Sequence, residues 1–382
     1  MAWRGRRFDN GQAVCVEVAD GRIAKISPVC GQPATNDWPW IAPGLIDIQA
    51  NGYAGQEFCS LDLTPEKVGD IAQTYCQQGV TRFCPTVTTE SFATIRHALA
   101  TIHRACETSS AVARRIPGIH LEGPYISPVD GCRGAHPPAH CRVPDWDEFQ
   151  RFQEAAGGRI RIVTLAPEHD GALPFIARAA DSGVIIALGH TGADTSCIRA
   201  AVDAGARLST HLGNGAPPML RRHPNCLWAQ LAEDRLLASL IVDGHHLPAE
   251  VVKVFVRAKQ VSRCILISDL SGQAGLPPGR YSGSLADVEI LADGRIVVAG
   301  QHQLLACASR PLLAAIGHVM HFAGIDLASA IRMANDHPAE LLGIKAGALQ
   351  PGEPANFMLF DLVPDAPLHV RLRSVIVDGE EI

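Results

Sequence analysis

Gly118-Ile119-His120-Leu121-Glu122-Gly123-Pro124 decides how this chain is read. An aliphatic run of strand length ends in a carboxylate, and the Gly-Pro that follows takes the backbone out of the strand at once. Three further segments have the same form. One aliphatic run leads into Gly189-His190-Thr191, another into Thr210-His211-Leu212, and Cys264-Ile265-Leu266-Ile267 leads into Ser268-Asp269. Each puts an ionisable side chain at the carboxyl end of a different strand. In a (βα)8 barrel those ends converge on one face, where residues from several strands build the site. One Glu and two His make a three-ligand set suited to zinc, with a position left open for water. Asp269, read here as part of its strand, is then available as acid and base on that water.

The rhythm continues outward from these segments. The expected strands are Leu45–Gln49, Thr81–Cys84, Gly118–Glu122, Ile160–Leu165, Val184–His190, Arg207–His211, Ala238–Asp243 and Cys264–Asp269, the number that closes such a barrel. Helical patterns follow most of them. One opens at Thr64-Pro65, an N-cap with proline behind it. Others run near 92–107, 145–155, 172–182, 194–204, 248–260 and 309–322, and a further helix near 327–342 leads out. The segment after the sixth strand is weak as a helix. Strands alternating with helices predict a parallel α/β sheet. Residues 271–300, rich in Gly and Pro, read as a hairpin-bearing loop. Both ends of the chain are β-rich, with an Asp20-Gly21 hairpin turn near the start. The expected fold is therefore α/β: a (βα)8 TIM-type barrel over residues 44–346. A small β-sandwich domain is expected from residues 1–43 together with 347–382.

Composition narrows the function. With 382 residues, 47% hydrophobic and 19% charged, the chain is an ordinary globular protein. A net charge of -6 without a basic block argues against nucleic acid or an anionic membrane surface as partner. The basic start, Met1 to Arg7, has no apolar stretch behind it, so no signal peptide is expected, and no apolar run is long enough to span a bilayer. The 12 cysteines include no C-x-x-C pair and read as reduced thiols of a cytoplasmic protein.

With these residues in view, the chain resembles the amidohydrolase superfamily and, within it, the N-acetylglucosamine-6-phosphate deacetylase family. Ala42-Pro43-Gly44-Leu45-Ile46-Asp47, His120 to Pro124, Gly134-Ala135-His136-Pro137, Gly189-His190-Thr191, Thr210 to Gly215, Asp243-Gly244-His245-His246 and Ser268-Asp269 follow in family order. The resemblance implies that Glu122, His190 and His211 bind the metal and that Asp269 is the catalytic acid and base. It implies that His246 polarises the acetyl carbonyl and that Arg222 pairs with the sugar phosphate. Ala135, Asn214 and Gly215 would line the substrate through main-chain groups, and His136 and Gln303 are further candidates. The implied activity is metal-dependent removal of the acetyl group from N-acetylglucosamine 6-phosphate, by a cytoplasmic homodimer. The implied cofactor is one divalent ion per chain, zinc first, with iron, cobalt or manganese as alternatives.

Some positions depart from the family pattern. Many superfamily members carry His-x-His on the first strand, where this chain has Gln49 and Asn51. Amides are poor zinc ligands beside imidazole, so a single metal is expected. Asn214-Gly215-Ala216 and Gln301-His302-Gln303-Leu304-Leu305 also differ from the usual strings. They keep open another N-acyl amino sugar, of the galactosamine type or unphosphorylated. A non-catalytic metal-binding barrel would show a lost ligand or a lost acid-base, and none is lost here. Asp47 and Asp243 also end strands and read as structural, bonding loop amides. His120 shares a face with Glu122 and reads equally as an orienting residue or as core.

Overall fold

The structure, a computed structural model, describes residues 1–29, 38–364 and 367–382. Eight strands form one sheet in sequential order, and every neighbouring pair in it is parallel. They are β1 (Leu45–Ala50), β2 (Val80–Thr88), β3 (Ile119–Glu122), β4 (Ile160–Leu165), β5 (Ile185–Leu188), β6 (Ala206–Ser209), β7 (Leu237–Ile241) and β8 (Cys264–Ile267). The seam between β8 and β1 closes just beyond β8. Ala50 bridges Leu270, Asp269 N donates to Gln49 O at 3.0 Å, and Asn51 N donates to Leu270 O at 3.1 Å. The barrel expected from the sequence is the observed fold.

These strands are buried on both faces, as parallel strands are. Ile46, Ile48, Ile162, Leu208, Ile241 and Ile265 fill the lumen, while Phe83, Leu121, Val163, Leu188 and Leu240 pack outward against the helices. Toward the carboxyl ends the lumen turns polar. His120 is hydrogen-bonded through Nδ1 to Ile48 O (3.1 Å) and through Nε2 to Thr164 Oγ1 (2.7 Å), which in turn meets Thr210 Oγ1 (2.7 Å). The carbonyl can only accept, so Nδ1 carries the proton, Thr164 donates to Nε2 and Thr210 donates to Thr164. This chain ties β1, β3, β4 and the end of β6 together beneath the residues that carry the chemistry.

Most helices fall where expected. The first, Pro65–Gln77, is capped by Thr64, whose Oγ1 accepts from Lys67 N at 3.3 Å. The weak segment after the sixth strand forms a helix of only 7 residues, Cys226–Ala232. The single helix expected near 327–342 is two, Leu327–Met333 and Asp336–Leu342. Asn335 lies at the break, and its side chain bonds both Gly347 N and Gly347 O (3.0 and 2.9 Å) instead of facing solvent on a continuous helix. Residues 279–307 hold a four-stranded antiparallel sheet whose last strand, Gln301–Cys307, extends the expected hairpin and borders the barrel mouth.

The two ends of the chain meet in one seven-stranded sheet. Trp40–Pro43 pairs in parallel with Ala2–Arg7 and antiparallel with Phe357–Val363, which joins the halves. Val14, Val16, Ile41, Phe357 and Ile376 share one apolar cluster, so strands from both ends bury the same face. The Asp20-Gly21 turn links Ala13–Ala19 to Arg22–Pro28, and both turn residues have positive φ (51° and 72°), as a tight hairpin requires. Among the described residues, no helix is long and apolar enough to cross a membrane.

Candidate metal and catalytic site

Glu122 ends β3, but His190, His211 and Asp269 do not lie on their strands. The expectation that Asp269 is part of its strand is corrected here. Each sits two residues beyond, past Leu188, Ser209 and Ile267, and each has a left-handed backbone, with φ of 51°, 30° and 49°. Non-glycine residues rarely adopt this conformation and hold it only where surrounding bonds impose it. His190 O accepts from Ser127 N (3.1 Å), His211 N donates to Ser239 Oγ (2.8 Å), and Asp269 N donates to Gln49 O (3.0 Å). The sharp turn out of the strand aims three side chains into the barrel mouth.

There, His190 Nε2 and His211 Nε2 both approach Glu122 Oε1, at 3.2 and 2.9 Å. His190 Nδ1 lies 2.9 Å from Cys132 O. Since that carbonyl only accepts, Nδ1 donates to it, and Nε2 is the atom turned toward the carboxylate. A ring nitrogen and a carboxylate oxygen at this distance need a cation between them, a proton or a metal. His136 joins the group. Single ligand atoms of Glu122, His136 and His190 lie within 4.8 Å of one another, and His136 stands edge-on to His190 with ring centroids 4.4 Å apart. His136 Nδ1 and His211 Nδ1 are buried without a hydrogen-bond partner. The donor set of carboxylate oxygen and imidazole nitrogen is one that divalent transition metals take.

Burial alone would raise the Glu122 carboxyl, but the bonds from His190 and His211 outweigh it and hold the group well below the usual carboxylate range. Burial pushes the His136 imidazole down to about 3, with His190 adding to the effect, so this ring is neutral. Burial raises the Asp269 carboxyl to about 6, helped by the charge of Glu122. Asp269 Oδ1 accepts from Gln49 Nε2 (3.1 Å) and Asn51 Nδ2 (2.8 Å).

On the far side of the mouth, the loop after β7 carries His246. Asp243 accepts from His245 N and His246 N (2.8 and 2.9 Å) and meets His246 Nδ1 at 2.8 Å. It therefore bonds loop amides, as its structural reading has it, and also fixes an imidazole. Asp47 does the first only, accepting from Gln49 N and Ser268 N at 3.2 Å.

Glu122, His190, His211, Asp269 and His246 line a single cavity of about 320 Å³. Ala135, Asn214, Gly215, Gln303, His136 and Asn51 line it too. The sequence reading did not include the wall formed by Leu285, Leu304 and Leu305. Its only signal there was the altered string near 300. Arg222 is not brought to this cavity. It lies on the exposed stretch 218–224, and among the described residues it forms no ion pair. Gln49 stands behind Asn51 and reaches the site through Asp269.

The Amidohydrolase family matches over residues 40–382, and the chain belongs to that family. The chain is 34% identical to N-acetylgalactosamine-6-phosphate deacetylase of Escherichia coli O157:H7 over 93% of its length and 92% of the relative's. It is 31% identical to N-acetylglucosamine-6-phosphate deacetylase of Bacillus subtilis (strain 168), over 90% and 88% of the two chains. Among solved structures, N-acetyl-D-glucosamine-6-phosphate deacetylase from Mycobacterium smegmatis superposes with a TM-score of 0.83 at 29% identity, covering 97% of this chain and 95% of that one. Within the amidohydrolases, the chain falls with the N-acetylglucosamine-6-phosphate deacetylases.

Proposed function

We propose that this protein hydrolyses the N-acetyl group of N-acetylglucosamine 6-phosphate, giving glucosamine 6-phosphate and acetate. The observation that carries the reading is the convergence of two imidazole nitrogens on one carboxylate oxygen, in the same cavity as a raised carboxyl, Asp269. Glu122, His190 and His211 would hold one divalent ion, with zinc the first candidate. Such an ion supplies Lewis acidity, which acidifies a water and polarises a carbonyl. Asp269 takes the proton from the attacking water as the new C–O bond forms. It then passes the proton to the departing amine nitrogen as the C–N bond breaks.

Two imidazoles are available to the substrate, and β3 and β7, whose loops carry them, stand opposite each other in an eight-stranded barrel. His136 is beside the ligand set and neutral, so its single N–H suits the acetyl carbonyl oxygen as charge develops there. This moves to His136 the role that the family resemblance gave to His246. His246, held through Nδ1 by Asp243, is then free for the sugar's anionic end.

A phosphate contact from Arg222 requires its exposed loop to close or a neighbouring copy to supply the residue. Homodimerisation belongs to the same proposal. Met219 is 89% and Trp228 52% exposed, close to Arg222 in the sequence, and a second copy would cover these apolar side chains. A cytoplasmic location is part of the reading and agrees with free thiols at the described cysteines.

A second reading is favoured by the Escherichia coli relative at 34% identity: the galactosamine 6-phosphate epimer as substrate. Acetate release from both 6-phosphates and both free sugars, with zinc, iron, cobalt or manganese supplied in turn, tests the proposal. Metal-dependent release that is fastest from N-acetylglucosamine 6-phosphate is expected. Faster release from the galactosamine ester moves the substrate to the epimer, and no release from any of them overturns the reading.

A further inference from the structure

Gln49 and Asn51 occupy alternate positions at the end of β1, and both are buried, at 1% and 8% exposure. Their side-chain nitrogens meet the same atom, Asp269 Oδ1 (3.1 and 2.8 Å). Asp269 Oδ2 accepts no hydrogen bond among the described residues, and Asp269 lines the cavity. The orientation of the Asn51 amide follows from charge: turned over, its oxygen would face a carboxylate oxygen. As placed, Asn51 Oδ1 is buried and has no partner, so the amide gives its donor to Asp269 at the expense of its acceptor.

We propose that Gln49 and Asn51 are a positioning pair for Asp269. Together they clamp Oδ1 so that Oδ2 alone faces the reacting water. This rests on the deacetylase reading above. The torsion that turns a carboxylate about its own axis is soft and close to two-fold, so an unclamped Asp269 would offer either oxygen over a spread of directions. Two donors on one oxygen fix the carboxylate plane, and charge-assisted bonds are the stronger kind. The pair also accounts for amides at these positions. An amide donates to a carboxylate at neutral pH whether or not a metal is present, whereas a neutral imidazole in its place could equally turn a lone pair toward a cation.

Gln49 and Asn51 also hold the barrel seam through main-chain atoms, Gln49 O and Asn51 N. Replacing the side chains leaves those bonds available, so seam and clamp can be separated. The test uses Asn51→Leu and Gln49→Met, which keep approximate size and remove the donors, in the metal-loaded enzyme and on whichever N-acetyl amino sugar the wild type turns over best. Misplacing a reacting group by about 1 Å costs on the order of 10²-fold. Asn51→Leu should therefore lower kcat by about 10- to 100-fold, with KM within threefold and metal content per chain unchanged.

In an Asp269→Asn background the same substitution should cost less than about twofold, because the group it positions is already disabled. Single-turnover acetate release makes that comparison measurable. A crystal structure of the Gln49→Met/Asn51→Leu double variant gives a readout without activity: the Asp269 carboxylate should leave its present orientation. Full kcat in Asn51→Leu, an equal loss in the Asp269→Asn background, or an unmoved carboxylate in the double variant overturns the proposal. An inactive wild type would instead strike at the deacetylase reading, and the carboxylate orientation would still test the clamp.

Discussion

Gly215→Ala asks whether the His190 ring is held in place from behind. A Cβ on Gly215 would lie 2.8 Å from His190 Nδ1 and 3.0 Å from Cε1. The ring has little room to retreat. Nδ1 is tied to Cys132 O at 2.9 Å, His136 stands edge-on at 4.4 Å, and Gly134 leaves only 3.3 Å between its own Cβ position and Cε1. Gly215 also has φ of 59°, a conformation that costs an L-residue about 1–2 kcal/mol. The substitution therefore adds backbone strain to a contact that must be relieved by moving either the 213–216 loop or the proposed ligand. Disturbing the groups that orient a metal-bound histidine costs about 10–100-fold in affinity, or about 1.4–2.8 kcal/mol.

The assay is metal content per chain after dialysis against buffered zinc, with thermal denaturation alongside. Gly183→Ala is the control, since Gly183 has φ of 85° but nothing within 4 Å of its Cβ position. It should lose stability and keep its metal affinity. If Gly215→Ala bound zinc as the wild type does, or if the control lost metal to the same degree, packing behind His190 would not set the site.

Asp269→Asn should lower turnover by about 10²–10⁴-fold while metal content stays intact, since the amide cannot take the proton; retained activity would assign the base elsewhere. The Asp269 carboxyl is raised to about 6 and works as a base only when ionised, so kcat/KM should rise with pH through about 6 and then level off. A bound cation moves this limb downward, so a limb above 7 would exclude Asp269 as its source. His136→Ala should lower kcat more than it raises KM, whereas His246→Ala should mainly raise KM on the phosphorylated sugar; the reverse pattern would exchange their roles. If loop closure or a neighbouring copy buries Arg222 against the phosphate, Arg222→Ala should lose about 2–4 kcal/mol in kcat/KM on the 6-phosphate and little on the free sugar, within the range for truncating a buried charged pair. An equal effect on both substrates would remove Arg222 from phosphate recognition.

Much of the fold was legible because its signals are local. Aliphatic runs of strand length, the Thr64-Pro65 helix start and the Asp20-Gly21 turn act within a few residues of themselves, and all three appear in the structure. Four chemistry-bearing side chains at four strand ends could be placed on one face because a parallel barrel allows no other arrangement. The break at Asn335 was not legible, since it depends on a bond to Gly347, 12 residues away and outside the helical pattern.

The sequence by itself determined the barrel, the likeness of its site strings to one enzyme family, and the chemical types available: carboxylates and several imidazoles. Only the tertiary structure decided which of them meet. His136 stands among Glu122 and His190 because a loop after β3 folds back over the mouth, and Arg222 stays outside it on an exposed loop. The tautomer of His190 is set by a carbonyl 58 residues away, and the carboxylate of Asp269 is bound by amides 220 and 218 residues away. Those distances along the chain are the physical reason. Residue type and local pattern fix what a side chain can do, whereas its protonation, orientation and partners depend on groups that only the closed barrel brings within about 3 Å.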